Sequence, residues 1–224
     1  GADRFDEAGF EDEGSPLNRV IEDERYSVIL FDKVIKCPVC KEPFNAKMVR
    51  SSKIARTGTD TDFRIRCQDF EPLYYSVWVC PYCYYANYRS EFEAINEMQK
   101  KTLYNAGENR RKHFKPGFSP QRTVKQIIEC YRLVLDCADS IKERAEKVGS
   151  LWLNLSWLYD DVGDEDRRRE ALEKALQFFE KGYMEGTNLS PERVQKLSYL
   201  IGEVYRKLGD YSKAREYYYR SIVR

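Results

Sequence analysis

Two Cys-x-x-Cys turns, Cys37-Pro38-Val39-Cys40 and Cys80-Pro81-Tyr82-Cys83, constrain this chain more than any other feature. In each turn the thiols sit three positions apart, so both sulfurs can face one centre. Four thiolates delivered as two such turns suit a tetrahedral Zn²⁺ with no open position for a substrate or an activated water. The expectation is one structural zinc held by Cys37, Cys40, Cys80 and Cys83. The 39 residues between Cys40 and Cys80 would then be clamped as a long loop, at an entropic cost that grows only slowly with length. The competing chemistry of a CxxC pair is thiol exchange through a sulfur of lowered pKa. Duplication of the motif, with proline after the first cysteine of each copy and an aromatic segment beyond, favours the metal.

A chain of 224 residues can make one large domain or two small ones, and its character changes near position 90. The expected fold class is α+β, a small β-rich zinc ribbon followed by an all-α array of helical hairpins. The boundaries read as an acidic flexible leader over 1–25, a four-cysteine zinc-ribbon-like β domain over 26–89, a helix and basic connector over 90–118, and a helical domain over 119–224. Lys plus Arg (38) and Asp plus Glu (37) nearly cancel, which argues against a surface wholly built for nucleic acid. Locally they separate: residues 1–32 hold 3 basic and 10 acidic side chains, residues 33–66 hold 9 and 3. No run approaches the roughly 18 apolar residues of a membrane span, and the start is acidic rather than signal-like. An odd count of seven cysteines fits a reducing compartment better than a disulfide framework, so the expected location is cytoplasmic, with no membrane contact.

Along the chain, the β-branched and aromatic run from Tyr26 to Lys36 predicts a strand leading into the first cysteine turn, and Pro43–Ala46 its return. A second strand pair is expected over Phe63–Cys67 and Leu73–Val79. Ser90-Glu91-Phe92-Glu93 has the form of a capping box, predicting a helix to about Tyr104. Ser119-Pro120 and Ser190-Pro191 each place a capping hydroxyl before a proline at the first helical position. Gly163-Asp164 and Gly209-Asp210 read as a stop followed by a cap. Apolar positions recurring every three or four residues give about five helices from Ser119 to the end. Cys130 and Cys137, seven apart on one of them, read as core, and Cys67 as a structural strand thiol. The chain ends at Arg224 inside the last apparent helix, so a natural C-terminal cap is expected beyond it.

Leu155-Ser156-x-x-Tyr159 before Gly163-Asp164 is echoed 46 positions later by Ile201-Gly202-x-x-Tyr205 before Gly209-Asp210. With Tyr211 and Ala214 the later copy resembles the tetratricopeptide repeat. A small residue at Ser156 or Gly202 lets the neighbouring helix approach. The tyrosines of the last hairpin, Tyr205, Tyr211, Tyr217, Tyr218 and Tyr219, cannot all face inward, which predicts cover by a further helix or a partner.

A candidate ligand-binding set lies at Arg50, Ser51, Ser52, Arg56, Asp60 and Asp62. Guanidinium forks and hydroxyls can engage phosphate, whereas matched arginines and aspartates can equally satisfy one another as a lattice under the metal site. Arg110-Arg111-Lys112-His113 reads as a solvated connector. A single histidine cannot build a mixed ligand site.

Taken in order, Cys37-Pro-Val-Cys40, Val49-Arg50-Ser51-Ser52, Asp60-Thr61-Asp62, Pro72-Leu73-Tyr74-Tyr75, Trp78 through Ala86, Arg122-Thr123, Leu151-Trp152, Leu158-Tyr159 and Tyr199 to Gly202 resemble a bacterial family known only as domain of unknown function 2225. The resemblance implies a zinc-ribbon-like front and a tetratricopeptide-like back, and it supplies no activity. Tyr84 stands where that family usually has glycine. With no nucleophile and base, phosphate-cradling glycine loop or carboxylate–histidine cluster, the chain reads as non-enzymatic: a zinc-binding adaptor whose helical groove takes a protein partner. A second reading is a nucleic-acid or phosphate-ligand binder using the basic loop 47–66, and a third is a CxxC thiol oxidoreductase.

Overall fold

The computed structural model describes residues 14–20, 26–118, 122–186 and 189–222. The described residues fall into two compact units, one drawn from 1–57 with 66–142, the other from 58–65 with 143–224. This division is not collinear with the boundaries read from the sequence, because a short stretch from the front half contributes to the helical unit. The leader expected over 1–25 lies outside the described residues except at 14–20. There, Pro16–Asn18 form a 3-10 turn and Val20 bridges Thr123. The helix start expected at Ser119-Pro120 also lies outside them.

In the first unit a four-residue helical turn, α1 (Tyr26–Ile29), precedes β1 (Leu30–Lys36), so the expected strand begins four residues late. Arg50 explains the delay: its Nη1 donates to the carbonyls of Val28 (3.1 Å) and Leu30 (2.9 Å), supplying the turn with donors that a strand partner would otherwise provide. β1 pairs antiparallel with β2 (Pro43–Val49), with Val34 opposite Asn45. After a 3-10 turn at Ser51–Lys53, β3 (Arg56–Thr59) pairs with β4 (Ile65–Cys67).

The single strand expected over Leu73–Val79 begins as a 3-10 turn at Pro72–Tyr75. Pro72 suits the first helical position, and the Glu71 side chain accepts the Leu73 N–H at 3.1 Å, so local capping overrides strand propensity. Only Val77–Val79 form a strand, β5, and its partner is β6 (Ala86–Tyr88) across the second cysteine turn.

The capping box expected at Ser90 is not used. Residues 89–91 make a 3-10 turn, held irregular by Tyr85 Oη donating to Phe92 O (3.0 Å) and Asn87 Nδ2 to Glu91 O (3.0 Å). The box forms instead between Asn96 and Gln99, and opens α2 (Glu97–Asn105). The connector beyond it contains a helix, α3 (Gly107–His113). Thr123 and Gln126 form the box that opens α4 (Val124–Ser140), whose Tyr131 hydroxyl donates to Leu73 O at 2.8 Å. Tyr75, Tyr85, Phe92, Leu103, Ile127 and Tyr131 are buried in this unit.

The second unit carries α5 (Ala145–Asp161), α6 (Glu165–Glu185), α7 (Pro191–Leu208) and α8 (Tyr211–Ile222), packed as successive hairpins. With α4 they make the five helices expected from the apolar periodicity. α7 and α8 start 46 positions after α5 and α6, so the offset seen in the motif extends to the helix boundaries. Gly163 (φ 71) and Gly209 (φ 88) take the left-handed turns, followed by the caps Asp164 and Asp210, each accepting an N–H at 3.0 Å. Ser190 caps α7 as expected.

Close approach depends on small residues. A Cβ built at Gly202 would lie 2.8 Å from the Tyr218 ring, and one at Gly149 would lie 2.5 Å from Phe179. Tyr205 and Tyr217 stack at 5.6 Å, and their hydroxyls converge on Glu180. Tyr211 and Tyr219 remain exposed. Phe179 is buried whereas Tyr218 is half-buried, so the two glycines should differ when filled. Gly149→Ala is expected to destabilise the helical unit by about 1–3 kcal/mol and Gly202→Ala by less, since an outer ring can yield; thermal unfolding of the two variants checks the order.

Candidate metal centre

The two cysteine turns sit at the tips of β1–β2 and β5–β6 and share one backbone design. In the first, Lys41 N–H donates to Cys37 O (3.0 Å) and Cys37 N–H to Glu42 O (3.0 Å); in the second, Tyr84 N–H donates to Cys80 O (3.0 Å) and Cys80 N–H to Tyr85 O (2.8 Å). The residue after each second cysteine is left-handed, Lys41 at φ 68 and Tyr84 at φ 55. Glycine would take that conformation more cheaply. The turn forms without it because the freed N–H reaches the first cysteine's carbonyl, and the Tyr84 ring packs edge-on to Phe118 at 5.6 Å.

All four sulfurs lie within 4.8 Å of one another and could hold a metal ion. Cys37 and Cys83 are 3.7 Å apart, Cys40 and Cys80 3.6 Å. A tetrahedral ion with metal–sulfur bonds of about 2.3 Å would place sulfur pairs about 3.8 Å apart, and a disulfide would need about 2.05 Å. The spacing fits the ion. Cys37, Cys80 and Cys83 are buried and Cys40 is partly so.

Without a cation, such a cluster can carry little charge. Hydrogen bonds from Cys80 and then Cys83 pull the Cys37 thiol down to about 2, while the hydrogen bond to Cys37 pushes Cys80 up to about 12 and Cys83 higher still. The hydrogen bonds thus favour the thiolate at Cys37 and the thiol at Cys80 and Cys83. A divalent ion binding there must displace those protons.

The sequence reading of Arg110-Arg111-Lys112-His113 as a solvated run needs correction at its first residue. Arg110 is 0% exposed. Its Nη2 donates to Leu103 O and, at 3.4 Å, to Cys83 O, and Nη1 lies 4.0 Å from an Asp136 carboxylate oxygen. Burial pushes the Asp136 carboxyl up, against the opposing pull of Arg110. Arg111 Nη1 also reaches the second turn, donating to Tyr82 O at 2.8 Å. A Cβ at Gly107 would meet Cys83 O at 3.0 Å, so the glycine lets α3 lie against that turn. Glycine three residues before the arginine was the one signal in the sequence. Buried Cys137 accepts the Ala86 N–H at 3.4 Å and packs beside the site outside the group of four.

The six candidate ligand residues are divided between the units. In the first unit, Arg50 is committed to the Val28 and Leu30 carbonyls and to the Phe31 face (4.7 Å), Ser51 and Ser52 are exposed in their 3-10 turn, and Arg56 is exposed at the start of β3. In the second unit, Asp60 lies at the tip between β3 and β4, and Asp62 is buried. Asp62 Oδ2 accepts the Trp157 indole N–H at 2.7 Å and pairs with Lys207 at 2.9 Å. His113 is exposed and bonded through Nδ1 to Asn109 O. Cys67 lies on β4, its thiol pushed up first by burial and then by Glu71.

Residues 30–224 match the model of a family described as uncharacterised proteins conserved in bacteria, DUF2225. An uncharacterised protein of Borreliella burgdorferi strain B31 is 26% identical over 148 residues, covering 59% of this chain and 53% of that relative. The chain thus spans about half the length of the curated relative it matches. No solved structure matches it. Among the described residues no helix is long and apolar enough to cross a membrane.

Two outcomes are expected at the site. Because Cys80 and Cys83 are raised and hold protons near neutrality, loading the metal-free protein should release protons, and metal retention should strengthen as pH rises. Calorimetry in buffers of different ionisation enthalpy measures the release. Arg110→Met should lower metal affinity by about 10–100-fold in competition with a chromophoric chelator, with Arg110→Lys intermediate and Arg111→Met closer to the parent.

Proposed function

This chain belongs to the bacterial DUF2225 family of uncharacterised proteins, and from that premise we propose that it is a non-enzymatic, zinc-stapled scaffold that binds a protein partner through its helical hairpins. The observation that carries the reading is the cluster of four sulfurs within 4.8 Å of one another. Zinc is the ion that four thiolates at tetrahedral spacing select in a structural site, and such a site leaves no position for a reacting molecule. The metal's role is to fix two turns from distant parts of the chain, so that the ribbon keeps its shape. The non-enzymatic reading is supported by the buried thiols being engaged with one another rather than with a separate base. A reducing, cytoplasmic setting suits seven cysteines in the thiol form.

The helical unit supports partner binding by its form. Two hairpins offset by 46 residues, with left-handed glycine caps and small residues at the crossings, support a tetratricopeptide-like reading. Arrays of this kind present side chains of successive first helices as one surface for a peptide. Binding of nucleic acid through loop 47–66 is the second reading, supported by the exposed Ser51, Ser52 and Lys53 beside β2 and weakened by the engagement of Arg50.

Metal analysis of the purified protein is expected to give one zinc per chain, with no dithiol-exchange activity. Metal-free protein whose CxxC pairs cycle as disulfides would overturn the scaffold reading. Titration with single-stranded RNA and duplex DNA is expected to show no binding at low salt. A steep salt-dependent affinity lost in Arg50→Ala and Arg56→Ala would transfer the function to the loop.

A further inference from the structure

The helical face proposed above for a partner is already occupied by this chain. Residues 58–65, the tip between β3 and β4, pack on α5 and α7 through a set of charged and aromatic contacts. Asp62 takes the Trp157 indole N–H (2.7 Å) and the Lys207 ammonium (2.9 Å). Arg64 pairs with Asp161 (2.6 Å) and donates to Trp157 O (3.2 Å). The Thr61 hydroxyl donates to Glu203 at 2.5 Å, and Glu203 in turn pairs with Arg206 at 2.9 Å. Phe63 lies 5.4 Å from the Tyr199 ring with the Lys196 ammonium 5.5 Å from its own.

The helix residues that make these contacts are related by the repeat. Trp157 and Glu203 stand 46 apart, as do Asp161 and Lys207. Equivalent positions on the first helix of each hairpin therefore hold one inserted segment, which is how a repeat surface holds a ligand. The segment reaches the helices from a stretch whose flanks, up to Thr57 and from Arg66, belong to the other unit.

Three features mark the tip as an imperfect occupant. Asp62 is 1% exposed, yet its Oδ1 has no hydrogen-bond partner among the described residues. Phe63 is left-handed at φ 70, a conformation that non-glycine residues adopt at a cost. It also remains 44% exposed. A segment that satisfied both carboxylate oxygens without that backbone would bind the same face better.

We propose that the α5–α7 face is a docking surface for a partner protein's turn carrying an acidic, an aromatic and a basic side chain in succession, and that Asp62, Phe63 and Arg64 are its resident ligand in cis. Partner binding then requires the tip to leave. This rests on the scaffold reading and adds to it the chemistry of the partner and the contact that restrains binding. The acidic group is recognised by Trp157 and Lys207, the basic group by Asp161, and the aromatic ring by Tyr199 and Lys196.

The test uses the full chain and a fluorescent cyclic peptide carrying Gly58–Ile65, closed so that the turn is retained. In the Asp62→Ala/Arg64→Ala double variant the peptide is expected to bind at least tenfold more tightly than to the parent, and Lys207→Glu in that background should abolish the gain. A folded double variant that binds the peptide no better than the parent overturns the proposal. Where the double variant loses its helical circular dichroism, amide hydrogen exchange on the parent decides: faster exchange at 58–65 under excess peptide supports displacement, and unchanged exchange overturns it. A natural partner captured by the intact protein with no change in exchange at 58–65 would overturn this inference while leaving the scaffold reading standing.

Discussion

Four sulfurs brought within 4.8 Å of one another from turns far apart in the chain are a problem of like charge before they are a metal site. Removed from water, they cannot all ionise unless a cation sits among them, and without one the hydrogen bonds from Cys80 and Cys83 pull Cys37 down while Cys80 and Cys83 are pushed up. Everything around the cluster serves one of these two states. The paired N–H to carbonyl closures at Lys41 and Tyr84 aim the sulfurs inward at the cost of left-handed backbone at two non-glycine residues. Arg110 brings a buried guanidinium to the carbonyl of Cys83, adding positive charge at the place where a tetrathiolate around a divalent ion would carry net negative charge. An arginine removed from water with a single carboxylate at 4.0 Å is costly by itself. Its position makes physical sense when the sulfurs beside it are ionised.

What the sequence revealed follows from how local each signal is. The cysteine spacing, the Ser190-Pro191 start and the Gly-Asp stops at 163 and 209 are settled within four or five residues, so reading them needs no knowledge of the fold. The failures lie where a competing hydrogen bond or the packing of the fold overrides the local pattern. Ser90 has the form of a capping box, but Tyr85 and Asn87 tie up the backbone at 91–92, and the helix waits for Asn96. Pro72 and Glu71 turn the first half of an apparent strand into a 3-10 turn. Arg110 was hidden because a basic run in a connector has the composition of a solvated surface, and only packing distinguishes one arginine from its basic neighbours.

Asp62 and Arg64 show a further limit of the same kind. Matched arginines and aspartates around position 60 suggest that they satisfy one another, yet the partners are a tryptophan and a lysine for the aspartate and another aspartate for the arginine, all about a hundred or more positions further along the chain. Helical hairpins are built from contacts between neighbours in sequence, whereas the tip makes contacts of long separation and must wait for both helices to form. The helical unit is therefore complete in outline without residues 58–65 and complete in charge only with them.

Buried ion pairs of this type contribute little net stability over an apolar contact of the same shape, but breaking one partner leaves the other stranded at a cost of about 3–5 kcal/mol. What they supply is register. Asp62 and Arg64 lie two positions apart and meet charges of opposite sign on different helices, so a shift of the tip by two residues, or its approach in the reverse direction, would set like charges together. An apolar tip of equal area would tolerate several placements. The charged one permits a single placement, and the same selectivity would apply to any other turn that came to occupy the face.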